Sequence, residues 1–244
     1  MQLLVINPNT TAAMTATIAA AARAVAAPGT KISAATSAIG PASIEGFYDG
    51  AFAVPGVIQA LREAGDADAA IIACFDDTGL DAARSFVRHP VVGICEAGLL
   101  TAGQVSKRIG VVTTLSRSIV PLEELVRKYG FAERARVYAC DVPVLELEAA
   151  GAGARTKIEG QIAQALQNGA DSILLGCAGM TMLAAELSST FDVPVIDGVA
   201  AAVKQAEALV ALRLSTSKRG AYAAPLEKPY RGALAAFAPE RAQD

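Results

Sequence analysis

The sequence predicts an α/β protein made of two pseudo-symmetric, four-stranded parallel-sheet halves of flavodoxin or Rossmann type, with a cleft between them. Three observations carry this expectation. Short β-rich apolar runs alternate with longer alanine-rich stretches of helical period. Several strands read as near-continuous hydrophobic runs, AAIIACF (69–75) and SILLGC (172–177) among them. A parallel sheet covered on both faces requires that pattern. Third, the order of landmarks repeats. Asn9 and Thr114, each after a strand, stand 105 residues apart, Cys74 and Cys177 stand 103 apart, and Pro90 and Pro194 stand 104 apart. Ala67-Asp68 and Ala170-Asp171 lead into the two cysteine-bearing strands at matching distances. The halves are expected at 1–97 and 98–197, with 198–244 packing back on the first.

The elements follow in order. Leu3–Ile6 is an apolar strand stopped by Asn7-Pro8-Asn9, and Thr11–Ala26 is an alanine-rich helix stopped near Pro28-Gly29. Strand Lys31–Thr36 leads into a long loop, Ser37–Gly50, whose Phe47 and Tyr48 either wall a pocket or anchor the loop. Helix Phe52–Ala64 and strand Ala69–Phe75 come next. Asp77 is then expected to cap a helix starting near Thr78-Gly79. Pro90 opens strand Val91–Ile94, which is followed by a helix near 97–107. The second half repeats the pattern with strand Ile109–Thr113, helix Leu122–Lys128 and strand Ala135–Cys140. Gly151–Gly153 reads as a flexible lead-in to helix Arg155–Gln167. Strands Ser172–Cys177 and Val193–Ile196 and helix Gly198–Leu212 complete it. From Ser215 the chain has three prolines and no period, and reads as a surface-hugging or partly disordered tail.

Composition narrows the function. The 244 residues carry 21 Lys+Arg and 24 Asp+Glu, a net charge of −3, so the basic footprint of a nucleic-acid binder is missing. No apolar run approaches the ~20 residues of a membrane helix, and the start has no basic n-region, so a cytoplasmic protein is expected. Four cysteines without a C-x-x-C pair read as free thiols in a reducing compartment. No cluster has metal-ligand spacing and no glycine loop suits a nucleotide, so neither metal nor cofactor is expected. The single histidine, His89, lies at the amino end of its strand and reads as structural, which removes a Ser-His-Asp triad.

Ligands in open parallel sheets bind at the carboxyl ends of strands. Cys74 and Cys177 end equivalent strands there, whereas Cys95 and Cys140 have no such symmetry and read as core. Two thiols facing across a cleft suit the transfer of a proton from one face of a carbon to the other. One serves as thiolate base, the other as thiol acid, and the roles exchange in reverse. Each cysteine is expected to precede a helix whose amides favour the thiolate. Asn9 and Thr114 are the polar side chains expected to hold an enolate-like oxygen, and Thr113 is a further candidate for substrate binding.

At these residues the chain resembles the hydantoin racemase branch of the aspartate/glutamate racemase superfamily. The motifs are INPNTT (6–11), GPASIEGFYDG (40–50), ACFDDTGLDAAR (73–84) and LGCAGM (175–180), within a resemblance spanning residues 2 to about 212. It implies two α/β domains, no cofactor, catalysis by Cys74 and Cys177, and a homo-oligomer. It also implies that Cys74 acts on the D-isomer and Cys177 on the L-isomer. Substrate contacts are implied for Ser43, Ile44, Phe75, Asp76, Ala178 and Gly179. Amino-acid racemases of the superfamily follow their cysteines with Asn-Thr and Thr-His, where this chain has Phe75-Asp76 and Ala178-Gly179. Of these, Phe75 and Gly179 suit a neutral, flat ring better than a charged dicarboxylate. The expected activity is therefore racemisation of 5-monosubstituted hydantoins. Allantoin and amino-acid racemases are the near alternatives, and a maleate-type isomerase, an arylmalonate-type decarboxylase or a binding module the more distant ones. The hydantoin branch places Gly-Asp-Pro after its first Cys-Phe, and here Asp76-Asp77-Thr78 stands instead.

Overall fold

The computed structural model describes residues 1–147 and 151–239. Two all-parallel, four-stranded sheets form the frame. The first comprises β1 (Gln2–Asn7), β2 (Lys31–Thr36), β3 (Ala69–Ile72) and β4 (Val91–Gly93), in the order β2-β1-β3-β4. The second comprises β5 (Ile109–Thr113), β6 (Ala135–Ala139), β7 (Ser172–Leu175) and β8 (Val195–Asp197), in the order β6-β5-β7-β8. The two orders are the same when each strand is matched to its repeat.

Helices α1 (Ala12–Val25), α2 (Phe47–Glu63), α3 (Leu80–Phe86) and α4 (Ile94–Val105) belong to the first half of the chain. Helices α5 (Ile119–Lys128), α6 (Gly151–Gln167), α7 (Ala184–Phe191) and α8 (Gly198–Ala211) belong to the second. The outer face of the first sheet buries Leu4, Ile6, Ala70 and Ile72 with Val57 and Leu61 of α2 and Leu80 of α3. The second sheet does the same through Ile173 and Leu175, with Ile158 and Ile162 of α6 and Leu187 of α7. The inner faces share one core, in which Leu3, Val5, Ile71, Val111 and Leu174 meet Leu99 of α4 and Val199 and Ala202 of α8.

That shared core is built by exchange. Helix α4 leaves the first sheet and packs on β7 of the second, while α8 leaves the second and packs on β3 and β4 of the first. Gly98 allows the first crossing, because a Cβ there would lie 2.5 Å from Leu174 Cδ1. Fully burying side chains such as Ile71, Leu99 and Leu174 contributes about 1.5–3 kcal/mol each, so the exchange holds the two halves together.

The repeated Ala-Asp pairs have matching jobs. Asp68 accepts the amide of Gln2 at 2.7 Å, and Asp171 accepts that of Arg108 at 2.7 Å, each tying one strand lead-in to the next strand.

Several boundaries differ from those read in the sequence. Strands β3 and β7 stop at Ile72 and Leu175, short of their cysteines, because the ladder ends there and the chain turns. Helix α2 begins at Phe47, not Phe52, which shortens the preceding loop. Helix α6 already includes Gly151–Gly153, which are not a separate lead-in. The tail lies on the surface of the first half: Thr216 bonds the carbonyls of Arg88 and His89, Lys218 those of Arg84 and Ser85, and Tyr222 the Asp81 carboxylate. Its last five residues, 240–244, lie outside the described residues. Among the described residues, no helix is long and apolar enough to cross a membrane.

Candidate active site

The carboxyl ends of β1, β3, β5 and β7 converge on one cavity between the halves. Cys74 and Cys177 each stand two residues past the last residue of their strand, at Ile72 and Leu175. The turns after them match as well. The Asp77 amide donates to the Cys74 carbonyl and the Met180 amide to that of Cys177, both at 3.0 Å. The amides of Asp76 and Gly179, each two residues beyond its cysteine, donate to the cysteine sulfurs. Both thiols are free, half-buried and on the cavity wall. The cavity itself has a volume of about 30 Å³, room for one or two waters.

Most of the other expected residues gather there. Asn9, Ile44, Phe75, Asp76, Thr113, Thr114 and Ala178 all line the cavity. The Asn9 carbonyl oxygen is engaged by Asn7 and by the amide of Thr11, whereas among the described residues its Nδ2 meets only Met14 Sδ, at 3.5 Å. Thr113 is committed, its hydroxyl donating to the Gly176 carbonyl at 3.2 Å. Ser43 is half-buried and not on the cavity wall, where its neighbour Ile44 stands instead. Gly179 also lies outside the wall, and contributes the amide at the Cys177 sulfur.

Met14, Ser118, Val144 and Gly176 line the cavity without having been read from the sequence. Ser118, four residues after Thr114, was open to the strand-end argument. Val144 carries no local signal. It arrives because the Glu45 carboxylate of the first half accepts its amide at 3.1 Å, a contact spanning the two halves.

Burial sets the electrostatics. It pushes the Cys177 thiol up to about 12, against the Gly179 amide that favours the thiolate. It pushes Cys74 up more strongly, and the charge of Asp76 adds to that effect. Asp76 itself is raised to about 6, first by burial and then by the charge of Asp49 on α2. An acid with a pKa of about 6 when folded and 3.8 when unfolded binds its proton more tightly in the native state. Its ionisation therefore penalises folding progressively from about pH 4, and fully above about pH 6. Asp76→Asn is accordingly expected to raise Tm by about 2–8 °C at pH 8, a gain that vanishes as the pH falls to about 4. Equal melting of the two proteins at pH 8 would contradict it.

Two local expectations are corrected. Asp77 does not cap the helix that follows it. Its own backbone is left-handed (φ 46°), and its carboxylate reaches the amides of Cys95 and Glu96, at 3.0 and 2.9 Å, in the first turn of α4. The hydroxyl of Tyr129, the residue just past α5, completes the set at 2.7 Å. Burial nevertheless raises Asp77 to about 7, against these three donors. Nor does Cys74 immediately precede a helix, since α3 starts at Leu80, although Cys177 does flank a 3₁₀ segment, Ala178–Leu183. Phe47 and Tyr48 are 63% and 74% exposed, so neither anchors the core. Phe47 lines a second pocket of about 520 Å³ outside the cavity, beside Val54, Leu80 and Leu125.

A larger hollow of about 910 Å³ lies beside β6, near Arg108, Ala135 and Ala170 at the amino ends of the strands, and it holds no cysteine. His89 is likewise remote, under the tail at the amino edge of β4. Among the described residues, no group of three or more His, Cys, Asp or Glu side chains could hold a metal ion.

The comparisons agree with this geometry. Residues 3–206 match the sequence profile described as Asp/Glu/Hydantoin racemase. The chain is 46% identical to a hydantoin racemase of Rhizobium meliloti over 95% of this chain and 98% of that protein. It superimposes on an allantoin racemase from Klebsiella pneumoniae with a TM-score of 0.94 and 46% identity, covering 98% of this chain and 100% of the other. A glutamate racemase from Bacillus anthracis shares the fold at a TM-score of 0.65 and 19% identity, covering 86% of this chain and 82% of that one. The repeat of sheet order is thus that of a known two-domain framework, and the chain belongs to the Asp/Glu/hydantoin racemase family, as an isomerase of the racemase class.

Proposed function

We propose that the protein racemises 5-monosubstituted hydantoins, the 5-ureido compound allantoin included, by two-base proton transfer between Cys74 and Cys177. The supporting observation is the pair of thiols on one cavity wall, each at the same place in its half and each with a backbone amide at its sulfur. The names of its relatives, hydantoin racemase and allantoin racemase, support the ring as substrate.

In this reading C5 sits between the two sulfurs. One cysteine, as thiolate, takes the C5 proton and becomes a thiol. The electron pair delocalises onto the adjacent carbonyl oxygen, for which Asn9 and Thr114, both on the cavity wall, are the assigned hydrogen-bond donors. The other cysteine, as thiol, delivers its proton to the opposite face and becomes the thiolate. The enzyme is then set for the reverse direction, and no atom or electron is gained or lost. Because burial disfavours both thiolates, the amides of Asp76 and Gly179 carry the stabilisation of whichever sulfur is charged.

Polarimetry tests this. A single enantiomer of 5-isobutylhydantoin or of allantoin, with purified protein and no additive, is expected to lose its optical rotation to zero at constant concentration. EDTA is expected to leave the rate unchanged. Rotation that persists for both substrates at the uncatalysed rate would refute the reading.

A further inference from the structure

The inner cavity, at about 30 Å³, is too small for a hydantoin ring together with its substituent, and the space for the remainder lies next door. The pocket of about 520 Å³ is lined by Gly46, Phe47 and Val54 from one side and Pro121 and Leu125 from the other. Among the described residues, Asp76 alone lines both that pocket and the inner cavity. Its charge acts on both cysteine sulfurs, so the carboxylate stands close to where C5 must sit. Among the described residues no hydrogen bond to its side chain forms, although its neighbour Asp77 receives three.

Geometry at C5 gives this placement a chemical meaning. The two sulfurs take the two faces of the carbon, so the ring and the substituent leave it in the plane between them. With Asn9 and Thr114 toward the ring, the substituent runs past Asp76 into the outer pocket.

We propose that Asp76 is a specificity residue that selects substituents bearing N–H donors at C5, a ureido group above all, over alkyl groups of the same shape. This inference rests on the reading of the site as a hydantoin-ring racemase. A ureido group presents two N–H groups to a carboxylate that the protein leaves unpaired. An alkyl group in the same place buries that carboxylate with no partner, which is the costlier state. Asp49 behind Asp76 sharpens the difference, since a second negative charge makes an unpaired carboxylate harder to keep. The equivalent position beyond Cys177 is Gly179, so the discrimination belongs to one side of the site.

The test uses two substrates of nearly equal shape, 5-ureidohydantoin and 5-isobutylhydantoin, which differ in their N–H groups. For the wild type, kcat/KM is expected to favour the ureido compound by about ten- to a hundredfold, the range of a hydrogen bond to a charged group. Asp76→Gly is expected to reduce that ratio at least tenfold. Asp76→Asn keeps the shape and one acceptor oxygen, and is expected to fall between. A ratio unchanged by both variants, with the two substrates slowed alike, would mean that Asp76 has a structural role and would overturn the assignment alone. Racemisation of neither substrate by the wild type would overturn the underlying reading, and this inference with it.

Discussion

Replacing either Cys74 or Cys177 by serine is expected to reduce racemisation about a thousandfold or more, within the upper range for removal of a general acid–base group. A hydroxyl in the same buried place is a far weaker acid than a thiol, so it neither ionises to take the proton nor donates it as readily. The two variants are not expected to be equivalent. Each keeps one working sulfur, which can still remove a proton from its own face of C5 and return a solvent deuteron to it. In deuterated water each variant should exchange C5–H of one enantiomer without inverting it, and the two variants should act on opposite enantiomers. Cys177→Ser is expected to exchange the D-isomer through Cys74, and Cys74→Ser the L-isomer through Cys177. Proton NMR with each pure enantiomer measures this directly. Exchange of the same enantiomer by both variants, or near-native racemisation by either, would rule out the two-base scheme.

The second large effect is on stability. Asp77 is buried and closes the first turn of α4 from a distance, because the residue at the N-cap of that helix is Gly93. A Cβ at Gly93 would lie 2.3 Å from the Asp77 carboxylate, so the two residues fit only as a pair. In the second half the same need is met locally. Asp197 is itself the N-cap of α8 and accepts the amides of Val199 and Ala200, both at 3.0 Å. Residues 181 and 197, which are threonine and aspartate, stand 104 positions after residues 77 and 93, which are aspartate and glycine.

Asp77→Thr removes the partner of two buried amides and of the Tyr129 hydroxyl, and is expected to destabilise by about 2–4 kcal/mol. For a chain of this length that corresponds to a fall in Tm of about 4–16 °C. Adding Gly93→Asp places a capping carboxylate where Asp197 has one, on a backbone of nearly the same conformation (φ −91° against −93°). The double variant is expected to recover half or more of the loss. Gly93→Asp alone, with Asp77 retained, is expected to destabilise, since two carboxylates would then compete for one space. Thermal melts of the three proteins check the set. A double variant no better than Asp77→Thr would show that the loss arises in the left-handed turn itself, where a β-branched residue is strained, and not at α4.

The repeated landmarks made much of this visible without coordinates. Eight apolar runs, with cysteines and prolines at one offset, are local features, and each half needs them in the same order to close the same four-stranded sheet. The order of elements, the two halves and the placement of Cys74 and Cys177 near strand ends all follow from periodicity and from the rule that ligands meet parallel sheets at their carboxyl ends.

Contacts across the fold were another matter. In the sequence, Asp77 followed by Thr78-Gly79 has the look of a local helix cap, and nothing nearby tells that its left-handed backbone turns the carboxylate toward α4, some 18 residues on. Val144 entered the cavity through Glu45, 99 residues away. The role of Asp76 depended on two hollows that meet at its side chain. The sequence by itself determined the order of elements, the internal symmetry and the matching positions of Cys74 and Cys177 in the two halves, because those depend on local pattern. Which carboxylate caps a distant helix, which stands unpaired between cavity and pocket, and how far burial raises each thiol were decided by the tertiary structure. Hydrogen-bond reach and desolvation depend on distances between segments far apart in the chain, and no local pattern encodes those.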